Sequence, residues 1–409
     1  MKLTVSFVLF AGVLCAGMGQ SMLGISFPFG VPLQENSGMS LAMGGAACAV
    51  ATDQDVMLRN PANLGVIDKT VFSGLYTFDV TRVTAGSFHS NQLMSYPRQL
   101  SASVPLGVAG TIAFSYSQRS DVTAFFQIDT DLVFNSTAVI GRRGFAAGGG
   151  LAAWQAGWGR SIGKWARLGI GYERLYLSEH WTVLSTTIDN VSGEVSARDS
   201  TYVSSAINGL RLGVMVPAGA LKIGASAEYF YSADGQSARA VYSNGSIVPV
   251  EGTTQLADFT LRLPPSFSFG VSYDFSPEWL VASDLNATFW DSYRSGGVLS
   301  ETKAGTVLGF CAGTQYVPAP NLLTPRYWEI IRYRAGLRFN QLPSKDAWEF
   351  LGCLGFGLPI GRSTGVLDIS VEAGARKSSG FSGLTENVVH VGLGISGGHK
   401  WTKSTGGNY

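Results

Sequence analysis

The sequence predicts an all-β fold, a 14-stranded antiparallel transmembrane β-barrel with an N-terminal plug, and three observations predict it. The first is alternation with a period of two. Leu367, Ile369, Val371, Ala373 and Ala375 interleave with Asp368, Ser370, Glu372, Gly374 and Arg376, so one face is apolar and the other polar or charged. The second is composition: 14% of the residues are charged, against about 25% in soluble domains, while glycines number 52 and aromatics make up 11%. An outer surface facing hydrocarbon accounts for the missing charge. The third is an export signal, in which Lys2 precedes an apolar run from Val5 to Ala16 and the small residues Ala16, Gly17 and Gly19 suit signal-peptidase cleavage.

Residues 1–19 are therefore read as the signal peptide. Their apolar run is shorter than the roughly 20 residues of a spanning helix, and nothing later approaches that length. Leu14 is bulkier than the residue that normally precedes an acylated cysteine, so lipidation at Cys15 is not expected. Residues 20–68 are rich in Gly, Ala and Met and lack the period of two. Leu41, Met43, Val50, Val56, Met57 and Leu64 make the segment too apolar for a solvated tail, and it is expected to fold back into the lumen as a plug.

Over residues 69–401 the alternation places strands near 71–83, 98–106, 109–118, 147–160, 165–181, 205–217, 219–233, 266–275, 279–291, 303–315, 329–339, 349–359, 364–376 and 387–398. Tight turns at 106–109, 217–219 and 276–278 trade places with expected loops at 119–146, 182–204 and 234–265. This is the rhythm of short periplasmic turns and long extracellular loops. An even strand count returns both termini to the periplasm. The stretch from Tyr316 to Trp328, rich in proline, is longer than a periplasmic turn should be. Residues 402–409 form a C-terminal extension. Trp165, Trp181, Trp279, Trp290, Trp328, Trp348 and Trp401 fall near predicted strand ends and are read as interfacial girdles.

The run Gly38-Met39-Ser40-Leu41-Ala42-Met43-Gly44-Gly45-Ala46, followed by Asp53 and by Asn60-Pro61-Ala62-Asn63-Leu64, resembles the hatch of the FadL-type outer-membrane transporters of long-chain fatty acids and other hydrophobic compounds. Leu261-Arg262-Leu263-Pro264-Pro265, the spacing of Trp279 and Trp290, and Gly374 through Thr385-Glu386-Asn387 to Trp401 extend the likeness over most of the mature chain. Asn63, where the family usually has Gly, and the eight residues after Trp401 depart from it. The resemblance implies a plug whose motif includes Gly44, Gly45, Asn60, Pro61 and Ala62. It also implies capture of substrate at the outer loops and sideways exit through a gap in the wall. Lateral exit keeps a greasy molecule in apolar surroundings.

Candidate binding residues follow from the same pattern. Arg332, Arg334 and Arg338 share one inward face, where a fatty acid carboxylate would be held by a charge-assisted hydrogen bond. The competing reading is a lumen network with Asp284, Asp368, Glu372 and Glu228. Phe125 and Phe126, with Phe134 and Phe145, offer a capture surface, or pack within their own loop. Two G-x-S-x-G matches, at 159–163 and 361–365, sit at turns between strands rather than at a strand-to-helix elbow. The glycines at 392–397 lie within a strand, with no helix to receive a pyrophosphate. His89, His180, His390 and His399 are scattered, so no enzyme activity, metal or cofactor is expected. Cys48, Cys311 and Cys353 are expected to be reduced packing residues. A net charge of +1 gives no footprint for nucleic acid.

The expected function is passive transport across the bacterial outer membrane by a monomer, with long-chain fatty acid or another hydrophobic small molecule, and membrane lipid, as partners. The alternatives are a structural or interaction barrel, such as a surface adhesin or secretion shuttle, and then a water-filled porin.

Overall fold

The structure is a computed structural model that describes residues 21, 23–34, 37–86, 88–134, 137–189, 193–243, 255–297, 299, 304–344, 346–360, 365–378 and 384–400. Its wall has fourteen staves: β1 Thr70–Ala85, β2 Phe88–Pro105, β3 Thr111–Gln118 continued over Ala124–Phe134, β4 Thr137–Ile162, β5 Ala166–Asp189, β6 Gly193–Ala218, β7 Leu221–Phe230 continued over Ala233–Ser243, β8 Gln255–Leu261 continued over Ser266–Ser276, β9 Trp279–Phe289, β10 Thr306–Tyr316, β11 Arg332–Gln341, β12 Ala347–Ile360, β13 Gly365–Ser378 and β14 Leu384–His399. Neighbours are antiparallel. β14 pairs with β1 from Leu384↔Ala85 to His399↔Thr70, which closes the barrel.

The alternation read from the sequence sets which side chains face which solvent. Leu212, Leu285, Leu337, Leu354, Val371, Leu393 and Ile395 are exposed, while Arg338, Asp368, Glu372, Arg376 and His390 are buried. A water-soluble protein would invert that distribution. The exposed apolar band faces hydrocarbon, and the chain is a multi-pass β-barrel of the bacterial outer membrane.

Stave lengths are unequal. β9 has 11 residues and β11 has 10, close to the roughly 9–11 that cross a bilayer. β4 and β6 have 26 each. At about 3.3 Å per residue, the extra fifteen or so add roughly 50 Å along the strand, about 35 Å of height beyond the membrane at a tilt of about 45°. The expected loops at 119–146, 182–204 and 234–265 are thus largely strand. Their alternation fades because both faces of a sheet above the membrane meet water, so period two carries no signal there. The tryptophans also need a correction. Trp165, Trp279 and Trp328 are exposed at the inner end as expected, but Trp290 is 8% exposed and turned inward. Trp401, the signal peptide and the C-terminal extension lie outside the described residues.

Val371 sits at the middle of the lipid-facing band of β13. Val371→Arg is expected to destabilise the barrel by about 2–4 kcal/mol, the cost of a cation at the bilayer midplane. Denaturant unfolding in vesicles measures this, and an unchanged midpoint would contradict the assignment of the band.

Candidate functional site

The chain before β1 lies among the inward-facing side chains. At its start, Ser21 Oγ donates to the Glu386 carboxylate at 2.7 Å and Leu23 N donates to it at 2.9 Å. Leu23, Phe27 and Val31 pack with Val83, Leu342 and Leu384 at the outer ends of β1, β11 and β14. A short helix, α1 (Gly38–Ala42), begins with a capping box between Ser37 and Ser40 and is wholly buried against β11–β14. Gly44 follows with φ +72, and a Cβ there would lie 2.5 Å from the Leu337 carbonyl oxygen of β11, so the turn tolerates no side chain. The backbone N–H groups of Ala47 and Cys48 then donate to one oxygen of Asp284, at 2.8 and 2.9 Å.

Asn60 organises the last part of the segment. Its Oδ1 accepts from Ala62 N at 3.1 Å, capping the 3-10 turn Pro61–Val66, and its Nδ2 donates to Cys48 O at 2.7 Å and to Val214 O at 3.1 Å. The turn can come this close because β6 offers glycine: a Cβ at Gly213 would sit 2.2 Å from Asn60 Oδ1. Asn63, the departure from the FadL-type pattern, donates to Ala47 O at 2.9 Å and ties the two halves of the segment together. Burial pushes the Cys48 thiol up to about 12, keeping it a neutral packing group. Burial likewise pushes the Asp55 carboxyl from 3.8 up to about 6.

This segment meets a break in the wall. β3 pairs with β4 as far as Gln118↔Ala152, and the ladder resumes only at Ala124↔Ala147. Between them the chain bends inward and pairs with the N-terminal segment: Leu33 N donates to Arg119 O at 2.8 Å, and Val31↔Asp121 and Pro32↔Ser120 form a two-residue ladder. On its other side β3 pairs with β2 from Pro105↔Thr111 to Gln99↔Ser117. Among the described residues no ladder joins β2 over 88–98 to β3.

Beside the bend lies a cavity of about 260 Å³. Phe29, Leu151, Leu175, Phe230, Leu263 and Trp290 line its apolar part. Phe29 comes from the N-terminal segment, and its ring lies 6.4 Å from Trp290 and edge-on to Tyr293 at 5.5 Å. The polar part presents Arg59, Arg119 and Arg211 with a single carboxylate, Glu228. Arg119 is 2.7 Å from Glu228, and Arg211 pairs with Glu228 and, at 3.1 Å, with Glu173. Arg211 also donates to Leu58 O at 2.9 Å, fixing its guanidinium against the N-terminal segment. The cavity is amphipathic, and its charged wall carries an excess of positive charge.

A model of the BamG family matches residues 3–405. The chain belongs to the BamG family. Solved structures similar to this BamG-family barrel include the Pseudomonas putida toluene transporter TodX, with a TM-score of 0.61, 14% identity and coverage of 91% of this chain and 99% of that one. A Pseudomonas aeruginosa FadL homologue gives 0.63, 11%, 91% and 100%. The CymD monoaromatic hydrocarbon channel gives 0.56, 16%, 89% and 98%. At these identities the likeness shows the fold, which is the part of the FadL-type resemblance that it upholds. No curated protein matches the chain.

The BamG-family barrel distributes the residues singled out from the sequence as follows. Gly44 and Gly45 form the turn after α1, and Asn60, Pro61 and Ala62 dock on β4–β6. Arg334 pairs with Asp368 and donates to Gln315 at 2.7 Å, while Arg338 is held by Glu372 at 2.8 Å. Arg332 is partly buried on the same face. None of the three lines the cavity. Phe125 is half exposed on the continued part of β3, Phe126 stacks on Phe145 at 5.1 Å, and neither lines the cavity. Sequence reasoning missed Phe29, Arg119 and Arg211. Arg119 sits where the alternation of β3 stops, the one local signal that could have marked it.

Asp55 yields a pH prediction. Its folded pKa is raised, so the unfolded chain releases the proton first, and stability falls as pH climbs from about 4 to about 6 and stays lower above that. Asp55→Asn is expected to remove this dependence, so that the variant gains stability over the unaltered protein as pH rises from about 4 to about 7. The magnitude is a few kcal/mol at most. Thermal unfolding of both proteins across that range gives the difference curve, and parallel curves would contradict it.

Proposed function

We propose that the chain is a passive outer-membrane transporter of small amphiphilic or hydrophobic molecules, and that its N-terminal segment is the plug. The observation that carries this reading is the amphipathic cavity at the contact between that segment and the inward bend of β3. A ligand would place its apolar part among Phe29, Leu175, Phe230 and Trp290. The guanidinium excess favours a carboxylate head over a plain hydrocarbon, which keeps a fatty acid as the leading candidate. The volume lies above the roughly 150 Å³ that admits benzene and just below the roughly 300 Å³ where drug-sized pockets begin. A medium-length chain fits it as it stands, and a long chain requires the Phe29 ring to move. Exit would run past the unpaired part of β2 into the membrane, so that the apolar part need not cross water. Arg334 and Arg338, committed to Asp368 and Glu372, and Arg332 beside them would serve as secondary contacts, and Phe125 and Phe126 as an outer capture surface. The structures named toluene transporter and monoaromatic hydrocarbon channel support hydrophobic cargo by analogy of fold.

A second reading, an interaction barrel such as an adhesin or secretion shuttle, draws on the tall outer sheet. Residues 124–134 of β3 pair on one side with β4 and, among the described residues, with no strand on the other.

Calorimetric titration of medium-chain carboxylates and of toluene into the protein in nanodiscs separates these readings. Arg119→Gln is expected to weaken carboxylate binding about tenfold, the loss of one charge-assisted hydrogen bond, and to leave toluene unaffected. Phe29→Ala is expected to shift the preferred chain to greater length. No binding by the unaltered protein, together with no copurifying acyl chain, would overturn the transport reading.

A further inference from the structure

The inner-end connection between β10 and β11 differs from its neighbours. The turns at 163–165, 219–220 and 277–278 are two or three residues long, whereas this one runs from 317 to 331. It is also ordered. Ala319 N donates to Glu329 O at 2.8 Å across its base, Arg326 N donates to the Glu329 carboxylate at 2.7 Å, and Pro318, Pro320 and Pro325 stiffen the rest. Yet its tip turns apolar groups outward: Leu323 is 99% exposed, and Leu322, Tyr327 and Trp328 are more than half exposed. A rigid loop that holds two leucines and two aromatics outward is shaped for a medium other than water.

The neighbouring contacts indicate which medium. Trp279 and Tyr316, at the inner ends of β9 and β10, face outward with rings 5.4 Å apart, and Tyr333 meets Phe356 at 5.8 Å on β11 and β12. The Tyr333 hydroxyl donates to Trp328 O at 3.2 Å, and that of Tyr327 donates to Pro359 O at 3.4 Å. The loop is thus fastened to the aromatic girdle and continues it sideways. Arg326 places its guanidinium 5.6 Å from the Trp328 ring, so a cation accompanies the aromatics at the depth where lipid phosphates lie.

We propose that the 317–331 loop docks on the periplasmic leaflet of the outer membrane, with Leu322, Leu323 and Trp328 inserted at head-group depth and Arg326 against the lipid phosphates. The barrel thereby gains a one-sided foot that fixes its tilt and rotation in the bilayer, independently of anything the lumen carries.

The test uses the full chain with Leu323→Cys, labelled with an environment-sensitive fluorophore and reconstituted in vesicles of phosphatidylethanolamine and phosphatidylglycerol. Cys48, Cys311 and Cys353 are buried, and the unsubstituted chain controls for their labelling. The expected result is blue-shifted emission, quenched severalfold more by nitroxide lipids labelled near the head group than by aqueous iodide. Emission like that of the free dye in water, quenched freely by iodide, would overturn the proposal. Protection that arises only after periplasmic proteins are added would overturn it as well, because the occupant would then be a protein.

Discussion

In hydrocarbon, every backbone N–H and C=O of the wall must be paired within the protein, and this requirement shapes the whole molecule. It forces closure of β14 on β1 and confines irregular backbone to places sheltered by other protein. The bend of β3 shows the rule applied to an exception. Where Arg119 to Thr123 leave the ladder, their polar groups are divided: Arg119 N and Val122 N still donate to Leu151 O and Gly149 O of β4, while Arg119 O accepts from Leu33 N and Val31–Pro32 pair with Ser120 and Asp121. The segment therefore fills space and also replaces the missing part of a strand, so the bend and the segment are one structural unit.

The same economy governs the lumen. Arg334, Arg338 and Arg376 lie almost wholly out of water, and each has a carboxylate partner on a neighbouring stave or one removed: Asp368, Glu372 and Glu349. Such pairs contribute little net stability, because desolvation consumes most of the attraction, but breaking one costs about 3–5 kcal/mol. Their effect is to fix which inward groups stay paired. Around the cavity the balance differs, with three guanidiniums facing one lining carboxylate. Arg119 and Arg211 share Glu228 and Glu173, so the positive excess at the cavity wall is that of Arg59, whereas Arg334 and Arg338 are each matched by a carboxylate.

The wall was legible in the sequence because its physical cause is local. Lipid outside and packed polar groups inside write themselves as alternation, visible at Leu367–Arg376 and at Tyr333–Phe339. Asn60 to Ala62 stood out only through the family resemblance, and the cap and the close approach to Gly213 that they form came from the structure. Stave height was not, because above the membrane the two faces of a strand no longer differ. The cavity was illegible for another reason. Phe29, Arg119, Arg211 and Trp290 come from parts of the chain that share no pattern, and the bend and the barrel's curvature bring them together. Trp290, which resembles a girdle residue by its place at a strand end, continues the inward-facing even positions of β9, Ala282 and Asp284.

The bond from Ser21 to Glu386 joins residues 365 apart in sequence, the first described residue to the last stave. Ser21 thus finds its partner only after the rest of the wall has been made and β14 has arrived. Before that the segment can already pack on Val83 of β1 and pair with the β3 bend, but its bond to Glu386 must await β14, a long loop to close. The bond at Ser21 therefore marks a barrel whose final seam, β14 on β1, has closed.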